Sequence, residues 1–136
     1  MELDNQIDIY TLSVKALKEH LNPLAAWNEL DSPITKEEVI EVIENGEAEL
    51  VDTPLVFVLS ECPDKEIARK NHIKKIAYFV INGSDQPLDI ELSINEEVLL
   101  NDGNHRLSGA IIRDDLTIQA EISGFVDLLK PLELLA

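Results

Sequence analysis

Five consecutive residues, Asp102, Gly103, Asn104, His105 and Arg106, set a carboxylate, a turn-forming glycine, an amide, an imidazole and a guanidinium side by side. Arg106 offers a forked donor for phosphate or carboxylate. His105 can donate a hydrogen bond or move a proton near neutral pH, and Asp102 can cap a helix, orient His105 or help hold a metal ion. Gly103 lets the backbone turn tightly. With a helix starting just beyond it, the first N–H groups and the positive end of the helix dipole form an anion site in outline. A plainer reading of the same residues also stands: Asp102 or Asn104 is an ordinary helix cap, and Arg106 pairs with one of the many surface carboxylates.

Such a cluster needs a strand before it and a helix after it, and the pattern supplies both. Leu88, Ile90, Leu92 and Ile94 alternate with Asp89, Glu91 and Ser93, which predicts a strand with one buried and one wet face. Val98, Leu99 and Leu100 are its expected partner across a tight turn near Asn95 and Glu96. A short helix through Ala110 to Ile112 should follow Gly103. Leu116, Ile118, Ala120 and Ile122 then alternate with Thr117, Gln119, Glu121 and Ser123 as a second strand, and the apolar tail over 125–136 reads as a C-terminal helix.

Upstream, residues 1–50 read as a helical region. Ser13 caps a short helix carrying Val14, Leu17 and Leu21 on one face. Asn22 and Pro23 end it and open a second short helix through Trp27 and Leu30, with Trp27 as a core anchor. Thr35 and Glu38 form a capping box for a helix whose buried face is Val39, Ile40, Val42 and Ile43, closed by Asn45 and Gly46. The run 55–59, after Pro54, is apolar enough for a strand buried on both faces. A helix with Pro63 in its first turn follows, with Ile73, Ile76, Ala77 and Val80 as its stripe and Asn82 and Gly83 as its stop. Lys65, Arg69, Lys70, Lys74 and Lys75 sit on this helix, and a solvated face opposite the stripe is the simplest account of them; a local anion-binding patch is the alternative. The predicted architecture is α+β: a small mixed twisted sheet with packed helices, in a single domain over 1–136.

Composition narrows the partners. The 136 residues carry 11 Lys and Arg against 27 Asp and Glu, a formal charge of −16. Direct nucleic-acid binding through phosphate neutralisation is disfavoured, as is an acidic membrane surface. The 45% apolar content is enough for a real core. Cys62 is the single cysteine and has no partner for an internal disulfide; the acidic start from Met1 to Asp4 lacks the pattern of a signal peptide, so a cytoplasmic location is expected. His20, His72 and His105 are widely separated and lack metal-site spacing, so no metal centre is expected, and His20 and His72 read as surface residues.

The stretch 73–124 resembles the core of the ParB/sulfiredoxin-like superfamily. The resemblance rests on a helix, Gly83, Gln86 and Pro87 leading into a strand, a hairpin, the motif Asp102, Gly103, Asn104, His105, Arg106 and Leu107, a small-residue helix with Ser108, Gly109 and Ala110, and a closing strand. It implies a core over 54–124 in which the loop and helix start after the motif bind the phosphates of a nucleotide, ATP or CTP with Mg²⁺. Gly103, Asn104, His105 and Arg106 would then face the phosphates, with Asp102 and His105 as the catalytic pair. The chain departs from the family in two ways. Sulfiredoxins place their catalytic cysteine where this sequence has Asn104, and the Gly-Glu-Arg-Arg motif of CTP-switching ParB proteins is absent. Sulfinic-acid reduction and a CTP clamp are therefore disfavoured.

Two functions follow. One is a nucleotide- or phosphate-binding protein, with phosphoryl transfer or phosphodiester or nucleotide hydrolysis as its chemistry. The other is a non-catalytic acidic module that binds a basic protein partner by imitating the charge of nucleic acid.

Overall fold

The computed structural model describes residues 8–24, 33–48 and 65–136. The elements run β1 (Ile9–Ser13), α1 (Val14–His20), α2 (Lys36–Glu44), α3 (Lys65–Asn82), β2 (Leu88–Leu92), β3 (Val98–Asp102), α4 (Asn104–Arg113) and β4 (Thr117–Gly124), followed by a 3-10 turn at Val126–Leu129. The strands form one mixed sheet in the order β1-β4-β2-β3. Strand β4 runs antiparallel to β1 and parallel to β2, while β2 and β3 form an antiparallel hairpin. The fold is α+β, as the alternating strands and periodic helices predict.

Alternation sets which face of the sheet is covered. Leu88, Ile90 and Leu92 are fully buried with Glu91 exposed between them, and Ala120 and Ile122 are buried beside them on β4. Leu107, Ala110 and Ile111 of α4 join the same core. Each such aliphatic side chain contributes about 1.5–3 kcal/mol on leaving water. On the other face Thr11, Gln119, Glu91 and Leu99 are exposed, so among the described residues the helices cover one side only.

Local signals at the helix ends behave as their chemistry requires. Ser13 accepts from the Ala16 amide at 3.2 Å and caps α1. Thr35 and Glu38 close the capping box of α2 in both directions. Helix α3 ends at Asn82, and the Gly83 amide returns to the Phe79 carbonyl at 2.8 Å.

Several expectations are corrected. The N-terminal region is not purely helical, because Ile9–Ser13 is an outer strand paired with β4. Strand β2 stops at Leu92, where Ser93 accepts from the amides of Asn95 and Glu97 and starts the turn, leaving Ile94 74% exposed. Leu116 precedes β4 and is 86% exposed rather than alternating inward. The tail does not form a helix over 125–136: it makes one 3-10 turn, then lies along the outer side of β1 through a bridge between Leu12 and Leu135. Glu133 there adopts a positive φ of 57°, which breaks any helical run. The helix through Trp27 and Leu30, the strand over 55–59, Pro63 and Cys62 lie outside the described residues. Among the described residues, no helix is long and apolar enough to cross a membrane.

The basic residues of α3 form a solvated face only in part, since Lys70 is exposed while Arg69 and Lys75 are not. Arg69 grips the Glu38 carboxylate with two donors, at 3.0 and 2.6 Å, and also donates to the Pro33 carbonyl at 2.7 Å. Lys70 pairs with Glu47 at 3.3 Å. Lys75 is buried. Arg69 and Lys70 thus tie α3 to α2 and the turn after it, while the charge of Lys75 reaches His105 of α4.

Candidate functional site

The link between β3 and α4 is built around Gly103. Its φ of +112° lies in the left-handed region, and a Cβ there would fall 2.5 Å from the Leu88 side chain, so both conformation and space call for glycine. Gly103 itself is the N-cap of α4, and no side chain caps the helix start. This corrects the capping role expected of Asp102 or Asn104. Asn104 is exposed, and its carbonyl accepts the buried Ser108 hydroxyl at 2.7 Å.

Arg106 lies one turn into α4, with its side chain only 11% exposed. Its Nη1 donates to the Pro87 carbonyl at 2.7 Å, and its Nη2 donates to Asp102 at 3.0 Å. Asp102, by contrast, is largely exposed. Arg106 therefore pins the loop before β2 to the start of α4, and its pairing with a nearby carboxylate is the plainer of the two sequence readings. A guanidinium has five N–H donors, so these two bonds leave it capable of more.

His105 turns the other way, into the contact between α3 and α4. Its Nε2 lies 2.9 Å from Nδ1 of His72, with the rings offset-stacked at a centroid distance of 5.1 Å. His72 is buried rather than at the surface. Burial, and after it the charges of His72, Lys75 and Arg106, push His105 down to about 3. It is a neutral imidazole at pH 7 and shares a hydrogen bond with its neighbour. Gly109, one turn further along α4, makes this approach possible: a Cβ there would meet the Cβ of Phe79 at 2.7 Å.

A cleft of about 340 Å³ opens on the flank of α4. Arg106, Ala110 and Arg113 form one wall, the loop from Gly83 to Gln86 a second, and Thr117, Ile118 and Gln119 at the start of β4 a third. Arg113 donates from Nη1 to the Val80 carbonyl at 3.1 Å and from Nε to Asp115 at 3.3 Å. Of the five residues singled out in the sequence, Arg106 borders this cleft. Asp102 meets Arg106 from the β3 end, and Gly103, Asn104 and His105 are not among the described lining residues. Arg113 was missed by sequence reasoning, although its position seven residues after Arg106 puts both on one helical face.

Among the described residues no group of three or more His, Cys, Asp or Glu side chains could hold a metal ion. Mg²⁺ commonly binds through substrate phosphates together with one or two carboxylates; Asp102 and Asp115 pair with the two arginines, and Asp85 lines the cleft. No protein-family model matches the chain, and no curated protein or solved structure matches it significantly.

Proposed function

We propose that the protein binds a phosphate-bearing ligand of the nucleotide class where β3 passes into α4. The observation that carries this reading is a helix start with no side-chain cap, opened by a left-handed glycine, with an arginine one turn in. The N–H groups and dipole at a helix start and the forked donor of arginine both favour phosphate oxygens. The reading is one of binding. Phosphoryl transfer or hydrolysis would need a group free to move a proton, whereas Asp102 is engaged with Arg106 and His105 with His72.

A thermal-shift titration with ATP, CTP, ADP and pyrophosphate, with and without Mg²⁺, tests it, because a ligand that binds only the folded state raises the melting temperature by mass action. A ligand-dependent rise is expected in the wild type and not in Arg106→Ala, with Arg106→Lys retaining part of it. No shift with any ligand overturns the reading, as does a shift that persists in Arg106→Ala.

The second reading, an acidic module for a basic protein partner, is favoured by the sheet face that no described helix covers. Among the described residues no strand carries a Lys or Arg. Asp89 and Glu121 are neighbours across β2 and β4, with Glu91 two residues further along the same face. Like charges placed side by side cost stability unless a partner relieves them. Salt-sensitive binding of a poly-lysine peptide, lost when Asp89, Glu91 and Glu121 are together made Asn or Gln, is expected on this reading; unchanged binding by that variant counts against it.

A further inference from the structure

The cleft beside α4 holds two guanidinium groups on a chain with a large excess of acid, and each is already tied to a carboxylate of its own: Arg106 to Asp102 and Arg113 to Asp115. We propose that Arg106 and Arg113 together grip one ligand carrying two phosphate groups, and that Asp115 is the internal anion this ligand displaces. The inference rests on the phosphate-binding reading of Arg106 and adds to it a second contact and a ligand class.

Three observations carry it. The arginines are seven residues apart, two turns or roughly 10 Å along the helix, and both line the same cleft of about 340 Å³, a size suited to a small ligand. Neither guanidinium is exhausted by its protein partners. Arg113 gives one N–H to the Val80 carbonyl and one to Asp115, which fixes its position and leaves other donors for an anion. Finally, the two bonds of Arg113 differ in kind. The Val80 carbonyl belongs to helix backbone and stays in place. Asp115 holds its station through its own amide bond to the Ala110 carbonyl at 3.0 Å, so its carboxylate can swing away by side-chain rotation alone.

The geometry also selects the ligand. A single phosphate can satisfy one arginine and leaves the other with its carboxylate. A diphosphate, or a molecule with phosphates at two positions, meets both and makes the exchange at Asp115 favourable. Ser84, Thr117 and Gln119 line the same cleft.

Calorimetric titration with inorganic pyrophosphate and with inorganic phosphate decides the matter, using wild type, Arg106→Ala, Arg113→Ala, Arg113→Lys and Asp115→Asn. Pyrophosphate is expected to bind more tightly than phosphate. Arg113→Ala should weaken pyrophosphate binding by about tenfold or more, the usual effect of losing a charge-assisted hydrogen bond, while leaving phosphate binding nearly unchanged. Asp115→Asn should tighten pyrophosphate binding, since the competing carboxylate is gone. Arg113→Lys keeps the charge without the fork and should fall between wild type and Arg113→Ala; it also serves if Arg113→Ala does not fold. Full pyrophosphate affinity in both Arg113 variants, with binding lost in Arg106→Ala, overturns the two-arginine grip and leaves the phosphate reading intact. Pyrophosphate binding that is indifferent to Arg106 as well overturns both. An Asp115→Asn variant that binds no more tightly than wild type overturns the displacement.

Discussion

His72 and His105 face each other across the contact of α3 and α4, Nδ1 to Nε2 at 2.9 Å, so that the two rings share one hydrogen bond. The pair makes the motif histidine part of the helix packing and turns a residue suited to surface proton transfer into a partly buried link.

A pH signature follows from that link. His105 is pushed down to about 3 in the folded protein by burial and the neighbouring charges of His72, Lys75 and Arg106, against an ordinary value near 6.5 in the unfolded chain. The unfolded state therefore binds the extra proton between these values, and stability present above pH ~6.5 is lost as pH falls toward 3. The slope from one proton is at most about 1.4 kcal/mol per pH unit. Urea midpoints measured from pH 7 to pH 4 should fall more steeply for wild type than for His105→Gln, whose amide still reaches His72. Equal slopes would sink the assignment.

The crossing of α3 and α4 should tolerate little added volume. Gly109→Ala places a methyl group 2.7 Å from the Phe79 Cβ, and overpacking of this kind costs about 1–3 kcal/mol. Leu107→Ala, at a fully buried core position, should cost about 2–5 kcal/mol through the cavity it leaves. Chemical denaturation of both variants checks the pair, and a Gly109→Ala protein as stable as wild type would mean the helices can separate freely.

Docking of α2 on α3 depends on the two-donor grip of Arg69 on Glu38. Its hydrogen bond to Arg69 holds the Glu38 carboxyl below its ordinary value, helped by Thr35 and opposed by partial burial. The stabilisation is present above pH ~4.5 and is lost as pH falls through the lowered value. Because the pair is partly exposed, Glu38→Gln should cost no more than about 1 kcal/mol at pH 7. It should cost less at acidic pH, once the wild-type carboxyl has taken up its proton. A penalty that stays constant with pH would place the role of Glu38 in its capping bonds to Thr35 alone.

Local pattern made β2 and β4 legible through their period-two alternation, while β3 was read from the apolar run Val98, Leu99 and Leu100 and α4 from the turn at Gly103. Strand β1 was hidden because its partner is remote: Ile9 pairs with Glu121, a contact that no window of neighbouring residues contains. His72 was misjudged because a single apolar stripe was assumed for α3. The helix is flanked by α2 on one side and α4 on the other, and a doubly covered helix buries polar residues that a half-exposed one would leave in water. At the candidate site the sequence located the glycine, the helix start and Arg106. It could not show that His105 points toward α3, because that depends on where α3 packs.

The bridge between Leu12 and Leu135 has a consequence for self-association. With the Ser13 amide bonded to the Leu134 carbonyl at 2.9 Å and the Ala136 amide to the Thr11 carbonyl at 3.1 Å, the tail occupies the hydrogen-bonding row on the outside of β1. An uncovered row of this kind invites strand addition by another molecule. In the described sheet only the β3 side remains for such pairing, and an assembly built through one side of each sheet closes at two copies and cannot grow into a fibre.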